Sequence, residues 1–535
     1  MTGAIRRWRR VRPLPTPGAV WLILALLAAL LALPAWGLLP QLAEPSDYWR
    51  MVKLGNYVQD TLLLALGSGL LAMLFGVPAA WLTSTCQFPG RKFFSWALVL
   101  PLALPGYLAV YGYHYLRDQI SPALVWMREH WGTEATMSID ERMRLVMLIV
   151  IFGSVLYPYI YLTARASFRR QASSVIEASR LLGQGAAGTF RRVALPLARP
   201  AIAGGTALVL MEVLNDFGAV SFFGVKTLTR GISRYGFELD DKACAVRLSL
   251  ILLGFVVTLL VLEKLARGRA RFSEGASHRP LTPWKLRGLR AWLATLFCLL
   301  PLTLGFLLPG GRLLRLAMLG AADGLPTGFW PAFKNTLLLA GGSSLVITLF
   351  ALLLAYAVRL QRGLPGRAAA RAVLLGYGMP GAVIALAVTL GLIQFSKSLG
   401  IGLLAGTLTG LVLAYAVRFL AVSYQPLESG LQRVCGSLDD ASRTLGIGPW
   451  KTLWRVNLPL LRGPLLAAGL LTFLDLLKEL PITLLLRPAN FSTLATRAWD
   501  LNEQNLLPDA CVPAVVIALL GAAGALWLHR SVERA

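Results

Sequence analysis

Apolar runs about as long as a bilayer is thick recur from one end of this chain to the other, and charged residues crowd into the gaps between them. A hydrocarbon core of roughly 30 Å takes about 20 apolar residues per helical span, so the pattern calls for an all-α membrane protein. Composition agrees: 56% of the 535 residues are hydrophobic and the mean hydropathy is +0.63, against about 45–50% apolar residues in a soluble chain. The windows predict about twelve transmembrane helices. They fall near 18–39, 57–84, 93–115, 143–164, 200–223 and 244–263, then 291–309, 333–358, 369–394, 401–422, 463–486 and 510–528. Pro and Gly interrupt the third and the ninth. The first run follows Arg6, Arg7, Arg9, Arg10 and Arg12. It is longer than the roughly 7–15-residue apolar core of a cleaved signal peptide, so it reads as a retained helix.

The net charge of +26, from 52 Lys and Arg against 26 Asp and Glu, would suit nucleic acid if the basic residues shared one surface. They lie instead in short segments between apolar runs, where cytoplasmic loops concentrate Lys and Arg. No nucleic-acid partner is expected; the chain's surroundings are the lipid bilayer. Arg91 and Lys92, Arg165 to Arg199, the linker from Lys264 to Arg290, Arg359 to Arg371, Arg433 to Arg462 and Arg530 to Arg534 mark the inner side. Glu44, Asp47, Glu129 to Glu141, Glu238 to Asp241 and Asp500 to Asp509 mark the outer side. Both termini are thereby expected in the cytoplasm. The five cysteines form no CxxC pair and the four histidines are scattered, so no metal site is expected and apolar packing accounts for the thiols.

The chain repeats itself. Asp60-Thr-Leu-Leu-Leu-Ala matches Asn335-Thr-Leu-Leu-Leu-Ala (335 − 60 = 275), Pro89-Gly-Arg matches Pro365-Gly-Arg (365 − 89 = 276), and Pro105-Gly matches Pro380-Gly (380 − 105 = 275). Further on, Glu177-Ala-Ser-Arg matches Asp440-Ala-Ser-Arg and Leu195-Pro matches Leu458-Pro, both at an offset of 263. Order and membrane orientation are preserved, which is the signature of a parallel repeat of about six spans. The boundaries read as a first unit over 1–264, a solvated cytoplasmic linker over 265–290 and a second unit over 291–535.

Each half carries one long basic loop, about 167–199 and 423–462. Glu177, Ala178, Ser179, Gly183, Leu195 and Pro196 stand in the first as Asp440, Ala441, Ser442, Gly446, Leu458 and Pro459 stand in the second. The glycine follows the acid by six positions (183 − 177 = 446 − 440) and the proline by nineteen (196 − 177 = 459 − 440). The pattern predicts a short amphipathic helix ended by glycine, which readily takes left-handed geometry. A second short basic helix follows, broken by proline before the next span. Such a knob fits a groove on a partner and passes its motion to the spans on either side. Gly183 to Thr189 has the glycine spacing of a phosphate loop but lacks its lysine, so no ATPase is expected in this chain.

Both loops resemble the coupling motif, EAA-x3-G-x9-I-x-LP, of permeases from binding-protein-dependent ABC transporters. Ser179 replaces the second alanine and Val193 the isoleucine, and Asp440 replaces the acid in the second copy. The resemblance covers nearly the whole chain and implies two fused six-helix type I permease units in a bacterial inner membrane. It also implies two copies of a cytosolic ATP-binding subunit on the loops and a periplasmic solute-binding protein on the opposite face. The chain itself would be a transport subunit, not an enzyme, with no cofactor.

Ionisable residues inside spans are costly and mark functional positions. Glu212 and Asp216 fall in the fifth span, and Asp475 and Glu479 in the eleventh at the same offset (475 − 212 = 479 − 216 = 263), with Asn215 and Lys478 beside them. The i, i+4 spacing puts both acids of each pair on one helix face. Twelve residues beyond Pro200, at about 1.5 Å each, place Glu212 near mid-bilayer. One reading makes these residues a lining of the substrate pathway; the other makes them an internal salt-bridge network around Lys478. The segments Asn215 to Gly231 and Lys478 to Thr496 look like the paired signatures of iron(III)-type permeases. Carboxylates suit that hard cation. They suit a cationic vitamin or polyamine equally, and fused permeases for thiamine and phosphonate share the design. A proton-coupled secondary transporter is the alternative of another class, and it leaves the paired loops unexplained.

Overall fold

The computed structural model describes residues 18–170, 178–179, 181–267, 283–322, 324–361, 363–400, 402 and 404–534. Among these, ten helices are long and apolar enough to cross a membrane, or up to 12 if two bent pairs each count as one span. The first half contains α1 (Gly18–Gln41), α2 (Leu54–Thr85), α3 (Arg91–Ala97), α4 (Gly106–Trp131), α5 (Thr133–Arg170), α6 (Leu195–Asn215), α7 (Gly218–Phe223) and α8 (Lys242–Arg267). The second contains α9 (Leu289–Leu302), α10 (Leu308–Gly320), α11 (Phe329–Leu360), α12 (Leu364–Gly378), α13 (Gly381–Leu399) and α14 (Leu408–Arg433). It continues with α15 (Gly436–Thr444), α16 (Arg462–Leu477), α17 (Pro481–Leu486), α18 (Leu494–Glu503) and α19 (Leu507–Arg534). The one strand pairing among the described residues is a parallel bridge of Cys86–Gln87 with Trp284–Lys285.

The matched Pro-Gly pairs mark real breaks. Pro105 pushes Leu104 into an extended conformation (φ −107°, ψ 104°), as proline does to the residue before it. The chain turns by 92° between Arg91–Ala103 and Gly106–Leu116. At the repeat position, α12 stops at Gly378 and α13 starts at Gly381, immediately after Pro380. The acidic stretch Glu129 to Glu141, expected as a loop, is almost wholly helical: α4 and α5 meet at Gly132, whose φ of +82° makes the turn. The fifth and eleventh spans end at Asn215 and Leu477, short of the expected 223 and 486, because each chain breaks at its second acid.

The helices gather into two compact units that cut across the tandem halves. One comprises residues 39–338, 379–386 and 477–535. Within it α2 and α5 pack closely over small residues: a Cβ at Gly76 would meet the Tyr157 carbonyl at 3.0 Å, and one at Gly153 the Leu71 side chain at 2.7 Å. The first helices of the second half belong here. A Cβ on Gly112 of α4 would strike the Pro309 backbone of α10 at 2.6 Å, and the Tyr113 hydroxyl donates to the Leu304 carbonyl. The other unit comprises residues 1–38, 339–378 and 387–476. There α1 lies against α13, with Gly37 and Gly391 in backbone contact and Trp36 edge-on to Phe395 at 6.4 Å. Buried hydroxyls join α11, α14 and α16: Ser423 meets Thr348 at 3.0 Å and Thr472 at 2.6 Å.

Candidate functional site: the duplicated loops and the acids within the spans

Glu177 and Arg180 lie outside the described residues; Ala178, Ser179 and the rest of the motif lie within them. In the first loop the helical turn closes with Leu182 N–H donating to the Ala178 carbonyl (3.0 Å) and Gln184 N–H to Ser179 (3.1 Å), around Gly183 at φ +77°. The second loop closes the same way. Leu445 N–H donates to Ala441 (3.1 Å) and Ile447 N–H to Ser442 (2.9 Å), around Gly446 at φ +73°. This is the Schellman ending that glycine makes at low cost. Nothing stands within 4 Å of where a Cβ would sit on either glycine. The leucine before each glycine is turned outward, Leu182 at 80% and Leu445 at 76% exposure. Asp440 is exposed as well and pairs loosely with Arg443 at 3.5 Å.

The first of the two prolines behaves differently from the sequence expectation. Each Leu-Pro pair is preceded by a five-residue π turn, Phe190–Ala194 in one copy and Leu453–Asn457 in the other. Such a wide turn re-registers the hydrogen-bond ladder around the donor that proline lacks. In the first copy Leu195 and Pro196 form the first turn of α6, and the helix runs unbroken over Ala186–Asn215. Pro196 therefore does not break it. In the second copy the chain passes Leu458 and Pro459 and then bends by 82° between Pro449–Leu460 and Arg462–Leu477.

Sequence reading missed the residues that hold the second loop to its stem. Asp439, one residue before the motif acid, receives Arg359 Nε at 2.8 Å and Asn457 Nδ2 at 3.2 Å. Arg359, at the end of α11, also donates to the carbonyls of Leu431 and Val434. The Tyr356 hydroxyl donates to the Pro449 carbonyl at 2.7 Å. In the first loop a buried Ser179–Thr189 hydroxyl pair, 2.9 Å apart, performs the bracing. The signal was present in the doubled acid Asp439-Asp440, of which only the second fits the repeat.

The acids within the spans divide into two kinds. Asp216 lies past the end of α6 with an extended backbone (ψ 121°), and its Oδ1 accepts the Ala219 N–H at 2.7 Å. Glu479 lies past the end of α16. Its two oxygens accept the N–H groups of Ile482 and Thr483, both at 2.9 Å, and the Thr483 hydroxyl at 2.7 Å. Both carboxylates thus cap the short helices α7 and α17, satisfying donors that a helix start leaves unpaired. They do not share a helix face with Glu212 and Asp475, which remain on α6 and α16, one turn earlier and half-buried. Asn215 Oδ1 accepts the Gly381 N–H at 2.6 Å, so the first-half break is tied to the start of α13. Lys478 sits, half-buried, in the second-half break. The signature segments continue with a duplicated bond. Leu228 N–H donates to Thr61 Oγ1 at 3.0 Å, and Leu494 N–H to Thr336 Oγ1 at 2.7 Å. That bond accounts for the threonine of the repeated Asp/Asn-Thr-Leu-Leu-Leu-Ala motif.

The chain is similar to several transport permeases. The Fe(3+)-transport system permease protein FbpB 2 of Haemophilus influenzae is 25% identical over 473 residues, covering 87% of this chain and 88% of that protein. The molybdenum transport system permease protein ModB of Escherichia coli K12 is 30% identical over 219 residues, which is 93% of its length but 39% of this chain. The sulfate transport system permease protein CysT of the same organism is 28% identical over 198 residues, 69% of its length and 36% of this chain. Single-unit relatives therefore fill less than half of a chain that a double-length relative fills almost completely. The family model for the inner membrane component of binding-protein-dependent transport systems matches twice, over residues 54–268 and 347–535. With most of its length matched in two tandem regions, this multi-pass chain belongs to that family of inner-membrane transport permeases.

Proposed function

We propose that the two duplicated loops are docking levers for two copies of a separate ATP-binding subunit in the cytosol. The termini then lie on the same side, and a periplasmic binding protein delivers solute to the other. One observation carries this reading: at identical spacing in one chain, two glycine-ended helical turns present outward leucines, Leu182 and Leu445, with open space around each glycine. An exposed apolar tip on a braced stem suits a partner's groove and has no use in water alone. The test is a paired Gly183→Val and Gly446→Val variant. Forcing a β-branched residue into left-handed geometry costs upwards of about 1–2 kcal/mol per site, while no neighbour is displaced. The variant should insert into membranes at the wild-type level and fail to copurify with the ATP-binding subunit. Undiminished copurification would remove the levers from the account.

For the cargo, we propose ferric iron. The support is the near full-length likeness to a protein named for Fe(3+) transport, together with the oxygen-rich positions Glu212 and Asp475, whose carboxylate class suits a hard cation. Asp216 and Glu479 serve the breaks in the spans, so Glu212 and Asp475 are the acids assigned to the pathway. Glu212→Gln with Asp475→Asn should lower iron uptake at least tenfold without releasing the ATP-binding subunit. Equal uptake would move these acids to a structural role.

A further inference from the structure

One cluster in the first half is not used by either the levers or the pathway acids. An open pocket of about 220 Å³ is lined by Thr83, Ser84, Arg91, Lys92, Ser95, Arg165 and Arg169. It lies where α2 ends, α3 begins and α5 runs out into the first duplicated loop. Arg91 donates to the carbonyls of Thr83 (3.0 Å) and Ser84 (3.1 Å), and Arg165 Nη1 to that of Ser95 (2.6 Å). No ion pair between these four cations and a carboxylate occurs among the described residues. Two polar atoms in the lining, Arg165 Nε and Ser84 Oγ, are buried without a hydrogen-bond partner. Four like charges around so small a space repel one another unless an anion is supplied, and a buried unpaired donor costs free energy until it is met.

The tandem copy offers the comparison. The 263 offset, fixed here by Tyr161 and Tyr424, places Glu428 at the position of Arg165 and Gln432 at that of Arg169 (428 − 165 = 432 − 169 = 263). Arg165 lies over the Tyr161 ring at 5.6 Å, whereas Glu428 accepts from the Tyr424 hydroxyl at 3.3 Å. Arg165 and Arg169, two of the four cations, therefore have no basic counterpart in the second half, and a need to dock two equal partners does not explain them. Beside it, Phe93 and Trp96 of α3 are 48% and 41% exposed, the placement of interfacial aromatic anchors in a membrane.

We propose that this pocket binds a phosphoryl anion, clamping the ends of α2 and α5 at the stem of the first loop. An anionic phospholipid headgroup and free phosphate share that chemistry. The assignment does not depend on the identity of the transported solute. The test uses the full-length chain in phosphatidylcholine nanodiscs, and it reads the thermal unfolding midpoint after adding phosphatidylglycerol in one arm and inorganic phosphate in the other. The midpoint should rise in at least one arm. A rise with the lipid alone identifies a headgroup site, and a rise with phosphate identifies a free-anion site. Arg165→Gln with Arg169→Gln should weaken the apparent affinity by on the order of tenfold or more. Arg287→Gln with Arg290→Gln, an equal loss of charge outside the pocket, should leave it unchanged. If the double variant at the pocket is too unstable to purify, Lys92→Gln on the exposed rim should produce a smaller loss in the same direction. No midpoint shift in either arm, or equal responses from pocket and control variants, would overturn the site.

Discussion

At the scale of single residues, the repeat is written in backbone hydrogen bonds as much as in function. Thr61 and Thr336 are 4% and 2% exposed, and each donates its hydroxyl one turn back while accepting one distant N–H. Replacing either with valine keeps the shape and leaves a buried donor unpaired, which costs about 1–3 kcal/mol. Thermal unfolding in detergent should show a matching loss for Thr61→Val and Thr336→Val; an unchanged midpoint for both would contradict the bond's importance. Asp241, outside the spans, shows the same economy. Burial pushes its carboxyl up, but the Ser46 hydroxyl (2.6 Å), the N–H groups of Cys244 (2.8 Å) and Tyr48 (3.2 Å) and the Arg247 charge outweigh it and hold the group below its usual range. Because the folded value is depressed, the stabilisation is complete above the ordinary carboxylate pKa and is lost as pH falls through the folded one. Asp241→Asn should remove that acid-side dependence of the melting midpoint while leaving its neutral-pH profile flat.

At the scale of elements, the two loops share their endings and differ in how they are held. The first flows through a π turn into an unbroken helix, and the second bends sharply and is pinned by Arg359. The first half has Thr83 and Ser84 at the corresponding turn, so no arginine stands there to act as such a pin. Arg359→Ala would leave the poorly exposed Asp439 with Asn457 alone, a cost of about 2 kcal/mol or more for a partly buried charge. Amide exchange should quicken across 436–461 and stay unchanged across 181–199; equal protection in both loops would count against the pin. The glycine endings were legible because left-handed geometry selects glycine locally. The π turns were not, since no residue type marks them and the proline rule alone predicts a break. The capping role of Asp216 and Glu479 was hidden for a related reason: i, i+4 spacing implies one face only if the helix continues, and the hydropathy of Phe217 to Phe223 and of Pro481 to Leu486 gives no sign that it stops.

At the scale of the molecule, span count, tandem organisation and family were readable from sequence, because bilayer thickness and duplication each leave a period in the residues. Membership of the compact units was not. Helix α1 joins second-half helices and α9–α10 join first-half ones, through glycine contacts such as Gly37 on Gly391 and Gly112 on Pro309. An apolar run states that it will be buried, not against which partner. The most direct test of the account joins purified chain, ATP-binding subunit and iron-loaded binding protein in proteoliposomes and measures iron accumulation. The account predicts accumulation that requires both the ATP-binding subunit and ATP and persists when the proton gradient is collapsed. Accumulation by the chain alone, driven by a proton gradient, would contradict it.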